Sequence, residues 1–409
     1  MFSDPLLWIA GLVGLYMAWN IGANDVANAM GTSVGSKALT LAQAIAIAGI
    51  LEFLGATLVG AYVTDTVRKG IVDPALFAQD PRLFAMGMTA ALTGAAVWLN
   101  VATLVGWPVS TTHAIVGAVA GFGILTGGLD AINWGTLGKV VASWVVSPAM
   151  GGLMSWGLYT LVRNKISTNV SPGLASWRAF PLLVGSMLSV LSLVMMFKGL
   201  KNLKLNLEWY HSVGMALCVG LASYLLARIL RRPRDKVVEG RAGMEPIFRY
   251  LQITTAAFVA FAHGANDVAN AVGPMAAVYS VLREGAVTQK VEVPIWILMA
   301  GGVGIVIGLA TYGYKVMATI GTRITEVTPS RGFAAEFGAA ITILVGSKLG
   351  MPLSTTHTLV GSVIGVGFAR GMSAVNLAII RNIVVSWLVT IPAAALVCVF
   401  VFYILRAIL

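Results

Sequence analysis

The sequence predicts an all-α polytopic membrane protein with about 12 membrane segments, in two inverted-topology repeats with broken, re-entrant helices. The first observation is composition, since 58% of the 409 residues are hydrophobic and only 11% are charged. Soluble domains carry roughly 25% charged residues, so a soluble enzyme or a nucleic-acid-binding protein is excluded. The other two observations are an internal duplication and a helix break that both copies share.

Apolar stretches bounded by charged residues, or by Pro and Gly clusters, give the expected segments in chain order. They cover residues 6–30, 39–63, 83–106, 109–127, 136–162, 180–198, 209–230, 247–281, 293–318, 332–349, 353–369 and 376–405. The net charge of +11 is explained by loops, because cytoplasmic loops collect Lys and Arg. The richest basic loop, residues 228–249, is therefore expected in the cytoplasm, which places both termini outside.

The duplication consists of two strings that each occur twice. Residues 22–29 recur unchanged 242 residues later as 264–271, and residues 108–113 return with one substitution 244 residues later as 352–357. The first string lies in segments one and eight, an odd number of crossings apart, so the halves are expected to enter the membrane in opposite directions. The predicted units are a first repeat (1–165), a central pair of segments with the basic loop (166–240) and a second, inverted repeat (241–409).

The first string places polar groups inside an apolar helix, with Asn28 one turn from Asn24 and Asp25. A carboxylate at membrane depth is costly and marks ion or substrate pathways, and Gly22 and Gly264 are expected to let the helix unwind and offer carbonyls. Oxygen ligands suit hard cations such as Na⁺, while the alternative is a hydrogen-bond network between helices. The expected sodium ligands are Asn24, Asp25, Asn28, Asn266, Asp267 and Asn270.

The second string reads Pro-x-Ser-Thr-Thr-His, which predicts a break followed by a new helix capped by Ser. The start of a helix offers free N–H groups and a positive dipole, which together suit an anion; the alternative is a capped kink with packing roles only. The expected anion ligands are Ser110, Thr111, Thr112, Ser354, Thr355 and Thr356. A Ser/His hydrolase is disfavoured, because a duplicated pair suits a symmetric site, and His113 and His357 are expected to orient a hydroxyl or a carbonyl.

Together the two strings predict transport of an anion coupled to a cation. An anion at the helix starts would be repelled by Asp25 and Asp267 unless cations lay between them, and neither string contains Lys or Arg. No Cys/His cluster has the spacing of a metal site, so sodium is the expected coupling ion and no other cofactor is expected. A passive anion channel, the competing class, would need no buried carboxylates.

The paired strings resemble those of the PiT family of inorganic phosphate transporters, and the resemblance covers both repeats. It implies a sodium- or proton-coupled phosphate symporter of the cell membrane, with inorganic phosphate on the Ser and Thr residues and a homodimeric assembly. A sulfate-carrying branch of the family leaves a sulfate permease as an alternative. The resemblance also points to Glu52 and Glu336 as transport carboxylates; they are not symmetry mates, because Leu92 occupies the position equivalent to Glu336. His263 and His211 receive no role.

Overall fold

Helices make up the fold, as the sequence predicts. The computed structural model describes residues 4–60, 71–199, 208–230, 238–287, 293–349, 351 and 353–409, and no β-strand occurs among them. The α-helices are α1 (Pro5–Gly35), α2 (Leu41–Val59), α3 (Pro81–Val105), α4 (Thr111–Gly127), α5 (Trp134–Val162), α6 (Pro172–Val194), α7 (Trp209–Leu230), α8 (Arg241–Asp267), α9 (Ala269–Glu284), α10 (Ile295–Thr311), α11 (Gly313–Ala318), α12 (Pro329–Lys348), α13 (Thr355–Arg370) and α14 (Leu377–Ile408).

Seven of the described helices are long and apolar enough to cross a membrane, or eight if the bent pair α10–α11 is one span. The helix α4 is apolar but shorter, which suits a re-entrant element. The chain is therefore a polytopic membrane protein, and the count of about 12 segments remains a prediction. Pro352 and residues 231–237 of the basic loop lie outside the described residues.

The predicted helix breaks are present before α4 and α13. Helix α3 ends at Gly106, whose φ of +77° favours glycine. The chain then runs without helix to Ser110, which caps α4 by accepting a hydrogen bond from the amide of His113 at 3.3 Å. Ser354 caps α13 through His357 at the same distance.

Helix α1 packs so closely on α10 and on the residues that follow α10 that only glycine fits at several points. A Cβ on Gly22 would lie 1.9 Å from the carbonyl oxygen of Ile305, and one on Gly35 would lie 2.1 Å from the carbonyl oxygen of Gly321. Going from Gly22 to Gly35 along α1, the contacts move from Ile305 to Gly321. Helix α1 therefore runs parallel to α10 and to the residues that follow it. The expectation that Gly22 lets its helix unwind is wrong, because α1 is continuous through it.

Helix α2 fixes the direction of α8 relative to α1. Along α2 and the residue after it, Gly49 approaches Val306 and Gly60 approaches Leu298, so α2 is antiparallel to α10. Gly264 meets the backbone of Glu52 and Gly60 also meets Val268, so α2 is parallel to α8. Helices α1 and α8, which carry the two copies of the first string, therefore run in opposite directions. Opposite directions for these two helices are what the predicted inversion of the second repeat requires, and the inversion itself stays a prediction.

The two capped helices pack across the halves of the chain. Helix α13 packs on α5, and α4 packs on α14. Small residues allow both approaches, since a Cβ on Gly365 would lie 2.0 Å from the carbonyl oxygen of Gly152 and one on Gly117 would lie 2.6 Å from that of Ile391. Each capped helix is thus held by a long helix of the opposite half.

Two expected segments are not single straight helices. The segment expected at 247–281 divides at Val268, between α8 and α9, and the segment expected at 293–318 bends by 58° at Tyr312. The break in the first of these comes at the second copy of the first string, beside Asp267. The first copy, inside α1, has no break.

Candidate functional site

Asp25 joins the two kinds of predicted ligand. Its Oδ2 accepts a hydrogen bond from the hydroxyl of Thr111 at 2.6 Å, and its Oδ1 accepts from Asn28 at 3.1 Å and from the hydroxyl of Thr356 at 3.3 Å. The side chain is buried. The carboxylate of one string therefore lies between hydroxyls that come from both capped helices.

The second copy forms a matching set around Asp267. Its Oδ1 accepts from Asn266 at 3.2 Å and from Asn270 at 3.5 Å, and Asn270 also donates to the hydroxyl of Thr112 at 3.3 Å. In the first copy, Asn28 donates to Thr356 at 2.8 Å. In each copy the last asparagine of the first string thus donates to the second threonine of the Ser-Thr-Thr sequence in the opposite half. These equivalent contacts bring the expected sodium ligands and the expected anion ligands together.

Ser110 and Ser354 stand at the helix starts, where each oxygen already accepts the capping hydrogen bond of its own helix. The amide of Ser354 also donates to the hydroxyl of Ser147 at 3.2 Å. Thr355 is half-buried and lines a cavity beside the carboxylates. Both helix N-termini therefore point their first residues at one region.

His263 lies near three carboxylates of this region, although the sequence analysis assigned it no role. Its Nε2 is 3.0 Å from Oδ2 of Asp267 and 3.8 Å from Oδ2 of Asp25, and its Nδ1 is 3.3 Å from Oε1 of Glu52. These distances are within the range of an ion pair for a protonated ring, and neither ring nitrogen has a hydrogen-bond partner among the described residues. The available signal was a mismatch, because Ile21 occupies the equivalent position in the first copy.

The region is strongly acidic. Asp25, Glu52 and Asp267 are buried, and among the described residues His263 is their one basic neighbour within 4.0 Å. One ligand atom each from Asp25, His263 and Asp267 lie within 4.8 Å of one another, a spacing that could hold a cation. Because charge is poorly screened in a medium of low dielectric constant, this arrangement favours cations.

Glu336 is separate from that cluster. Its Oε1 accepts hydrogen bonds from Ser33 at 3.1 Å and from Gln252 at 3.3 Å, and the hydroxyls of Thr32 and Thr255 also donate to the carboxylate. The two glutamates therefore differ, because neither oxygen of Glu52 has a hydrogen-bond partner among the described residues.

A cavity of about 60 Å³ lies between His263 and Glu336, both of which line it. A water molecule needs roughly 10–15 Å³ by the same measure, so the space holds a few water-sized groups. Its polar lining consists of Asn28, His263, Asn266, Glu336 and Thr355. The rest of the lining is apolar and comes mainly from α6, α8 and α12.

Asn24 does not face the carboxylates. It donates to the hydroxyl of Thr103 and to the carbonyl of Trp107, both at 3.0 Å, and its Oδ1 accepts from the amide of Val109 at 3.2 Å. All three partners belong to the end of α3 or to the break before α4. Asn24 therefore connects the first string to the second.

The two histidines of the second string meet each other. The ring centroids of His113 and His357 are 4.8 Å apart, and Trp387 stacks on His357 at 3.7 Å. Neither ring nitrogen of His357 has a hydrogen-bond partner among the described residues. The expectation that this ring orients a hydroxyl or a carbonyl stays a prediction, since the contact with Ser354 is made by the backbone amide.

Comparisons with known proteins agree on one family. The sequence profile of the phosphate transporter family matches residues 21–398. A protein of Pyrococcus abyssi named as a phosphate permease is 46% identical over 405 residues, covering 99% of each chain. The inorganic phosphate transporter 2-1 of Arabidopsis thaliana, a chloroplastic protein, is 45% identical over 428 residues, covering 97% of this chain and 72% of its own.

A solved structure gives the same result for the fold. It is described as the sodium-dependent phosphate transporter, is 41% identical and superposes with a TM-score of 0.87 over 99% of this chain and 100% of its own. Members of the matched family are transporters, so the prediction that the chain is not an enzyme is confirmed. The chain belongs to the phosphate transporter family, and it is a multi-pass protein of the cell membrane.

Proposed function

We propose that the chain is a secondary active transporter that imports inorganic phosphate together with sodium. The observation that carries the proposal is the position of Asp25. Its oxygens accept hydrogen bonds from the hydroxyl of Thr111 in one half and from that of Thr356 in the other. A carboxylate this close to the hydroxyls that would hold phosphate repels the anion unless cations bind between them. Sodium supplies that charge with oxygen ligands alone.

In this proposal the carboxylates hold the cations and the helix starts hold the anion. Sodium is coordinated by Asp25, Asn28, Asp267 and Asn270, with Asn266 at the wall of the cavity. Phosphate accepts hydrogen bonds from the free amides at the start of α4 and α13 and from the hydroxyls of the two strings. These hydroxyls are Ser110, Thr111, Thr112, Ser354, Thr355 and Thr356.

The glutamates assist from outside this set. Glu52 lies against Nδ1 of His263 and so positions the ring whose Nε2 contacts Asp267. Glu336, at the wall of the cavity, keeps a carboxylate next to the route of the ions. A homodimer is part of the proposal, from the resemblance alone.

One observation favours a second candidate, a proton-coupled phosphate permease. His263 has three carboxylates around it, so a protonated imidazole could balance their charge where sodium otherwise would. In that mechanism the proton replaces the coupling sodium, and the anion site is unchanged.

The test is uptake of radiolabelled phosphate into proteoliposomes under imposed sodium or proton gradients, with sulfate as a competing substrate. We expect a sodium gradient to drive phosphate accumulation and a proton gradient to have little effect. Accumulation on the proton gradient alone would support the second candidate. Counterflow that proceeds equally without either ion would indicate a passive channel, and preferential sulfate uptake would change the substrate.

A further inference from the structure

The break before α4 is held by Asn24, while the equivalent break before α13 is not held by Asn266. In the first half, the carbonyl of Trp107 and the amide of Val109 both bond to the side chain of Asn24. The equivalent atoms in the second half belong to Met351 and Leu353. They bond to each other instead, with the amide of Leu353 donating to the carbonyl of Met351 at 2.9 Å.

The side chain of Asn266 is correspondingly turned to other partners. Its amide donates to Asp267 at 3.2 Å, and the residue lines the cavity. Among the described residues it makes no hydrogen bond with Met351 or Leu353. The groups needed for such bonds are nevertheless encoded, since Asn266 matches Asn24 and the hydroxyl of Thr103 has Ser347 as its equivalent.

Two further differences fall at equivalent positions. The helix with Asn24 is continuous, whereas the helix with Asn266 breaks at Val268. The cavity touches Asn266 and Thr355 of the second half but not Asn24 or Thr111 of the first. The cavity therefore reaches the asparagine that does not hold its break and does not reach the asparagine that does.

We propose that Asn24 and Asn266 are alternate latches, one for each anion-binding helix. In the conformation described here Asn24 bonds to Trp107 and Val109, and in the opposite-facing conformation Asn266 bonds to Met351 and Leu353 while Asn24 releases its two partners. Both asparagines are positioning residues, because they act on the anion through the capped helices. The inference rests on the proposed function only in requiring a carrier with two conformations.

The test uses paired cysteine reporters whose exposure should reverse between the two conformations. Ala339 lines the cavity and is 4% exposed, whereas Ala95, its equivalent 244 residues earlier, is 0% exposed and is not part of the lining. Ala339→Cys and Ala95→Cys are placed separately in the full chain after Cys218→Ser and Cys398→Ala remove the native thiols. The rate of modification by a small methanethiosulfonate reagent is followed by mass spectrometry, in choline buffer without phosphate.

We expect Asn24→Ala to raise the labelling rate at position 95 and lower it at position 339, each by at least about fivefold, the effect of losing one net hydrogen bond. Asn266→Ala should not raise the rate at position 95 and should leave position 339 equally or more reactive. The matched control is Asn20→Ala, a buried change one turn earlier in α1, whose equivalent residue is already Ala262. This control should leave both rates unchanged.

Equal rates in all variants, or the same direction of change for Asn24→Ala and Asn266→Ala, would overturn the latch. If Asn24→Ala does not fold, Thr103→Val removes one bond of the same latch and should shift both rates in the same directions by a smaller factor. The assay needs neither sodium nor phosphate. A reversal of labelling in a protein that fails the uptake test would therefore leave the latch standing and reject the proposed function.

Discussion

At the scale of single residues, the carboxylate of Asp25 contributes both a negative charge and hydrogen-bond acceptors. Asp25 accepts from Thr111, Asn28 and Thr356, so an amide in its place could keep part of this geometry and lose the charge. The charge is the property that a cation needs. Substitution by Asn therefore separates the two contributions.

We expect Asp25→Asn and Asp267→Asn each to abolish sodium-driven phosphate uptake while expression and thermal stability stay close to those of the parent. The physical reason is the loss of the cation's counter-charge at membrane depth. Uptake of labelled phosphate into proteoliposomes measures the effect, with the exposed Asp130→Asn as the control. Full sodium dependence in both variants would refute the assignment of these carboxylates.

The serines at the helix starts should affect the anion. Ser110→Ala and Ser354→Ala are each expected to weaken phosphate binding by about 1–3 kcal/mol, the cost of leaving a buried polar partner unmet. Calorimetric titration with phosphate in sodium buffer measures this loss. Each change also removes a helix cap, which itself costs about 0.5–2 kcal/mol of stability.

A cap outside the site separates the two effects. Asn376 caps α14 by accepting from the amide of Ile379 at 3.2 Å, and Asn376→Ala should lower thermal stability without changing phosphate affinity. Unaltered affinity in Ser110→Ala or in Ser354→Ala would remove that helix start from the anion site.

At the scale of helices, the sequence predicts local events well and tertiary ones poorly. The caps at Ser110 and Ser354 follow from a few neighbouring residues, and both are present. The break at Val268 could not be predicted, because an identical string stays helical in α1. The two identical strings differ only in the residues that surround them. Gly22 and Gly264 each lie in close contact with a neighbouring helix, and the helix continues through both of them.

These close contacts predict which glycines cannot be replaced. A Cβ on Gly22 would lie 1.9 Å from a backbone oxygen of Ile305, and one on Gly264 would lie 2.1 Å from that of Glu52. Backbone atoms cannot move aside as a flexible side chain can. Each change to Ala should therefore lower the free energy of unfolding by about 1–3 kcal/mol or more, the cost that is typical of overpacking. Fluorescence-detected size-exclusion chromatography after heating measures the shift.

The control for these variants is Gly157→Ala in α5, where an added Cβ meets nothing within 4 Å. A helix gains stability from Ala in place of Gly, so this change should leave the midpoint of thermal unfolding equal or higher. Gly22→Ala and Gly264→Ala with the same midpoint as Gly157→Ala would contradict the close packing described here.

At the scale of the whole molecule, the duplicated strings predicted one shared region but not the contacts inside it. The strings alone indicated that Asn28 and Thr356 belong to one region, and they lie 2.8 Å apart. The place of His263 was not predictable, since it depends on how α8 packs against α1 and α2. Repeats identify what the halves share, whereas His263 and Glu336 are residues that only the second half carries.

The combined site predicts that sodium and phosphate bind cooperatively. Phosphate alone would face Asp25 and Asp267 in surroundings that screen charge poorly, whereas sodium alone would find carboxylates that favour it. Sodium should bind first, and phosphate affinity should rise steeply with sodium concentration. Linkage requires phosphate to raise sodium affinity by the same factor.

Calorimetry of purified protein at fixed ionic strength, with choline replacing sodium, tests this cooperativity. A matched series with Asp130→Asn should show the same rise, because that side chain is exposed and distant from the cavity lining. Equal phosphate affinity in the two salts would contradict the coupled site and favour the proton-coupled alternative.

The hydrogen bonds that cross between the halves also bear on ancestry. Asn28 reaches Thr356 and Asn270 reaches Thr112, so neither half holds both partners of either bond. A half-length ancestor would have needed a second copy of itself to supply the missing partner of each bond. One chain always supplies both partners in equal number, and its second half carries His263 and Glu336 where the first half has Ile21 and Leu92.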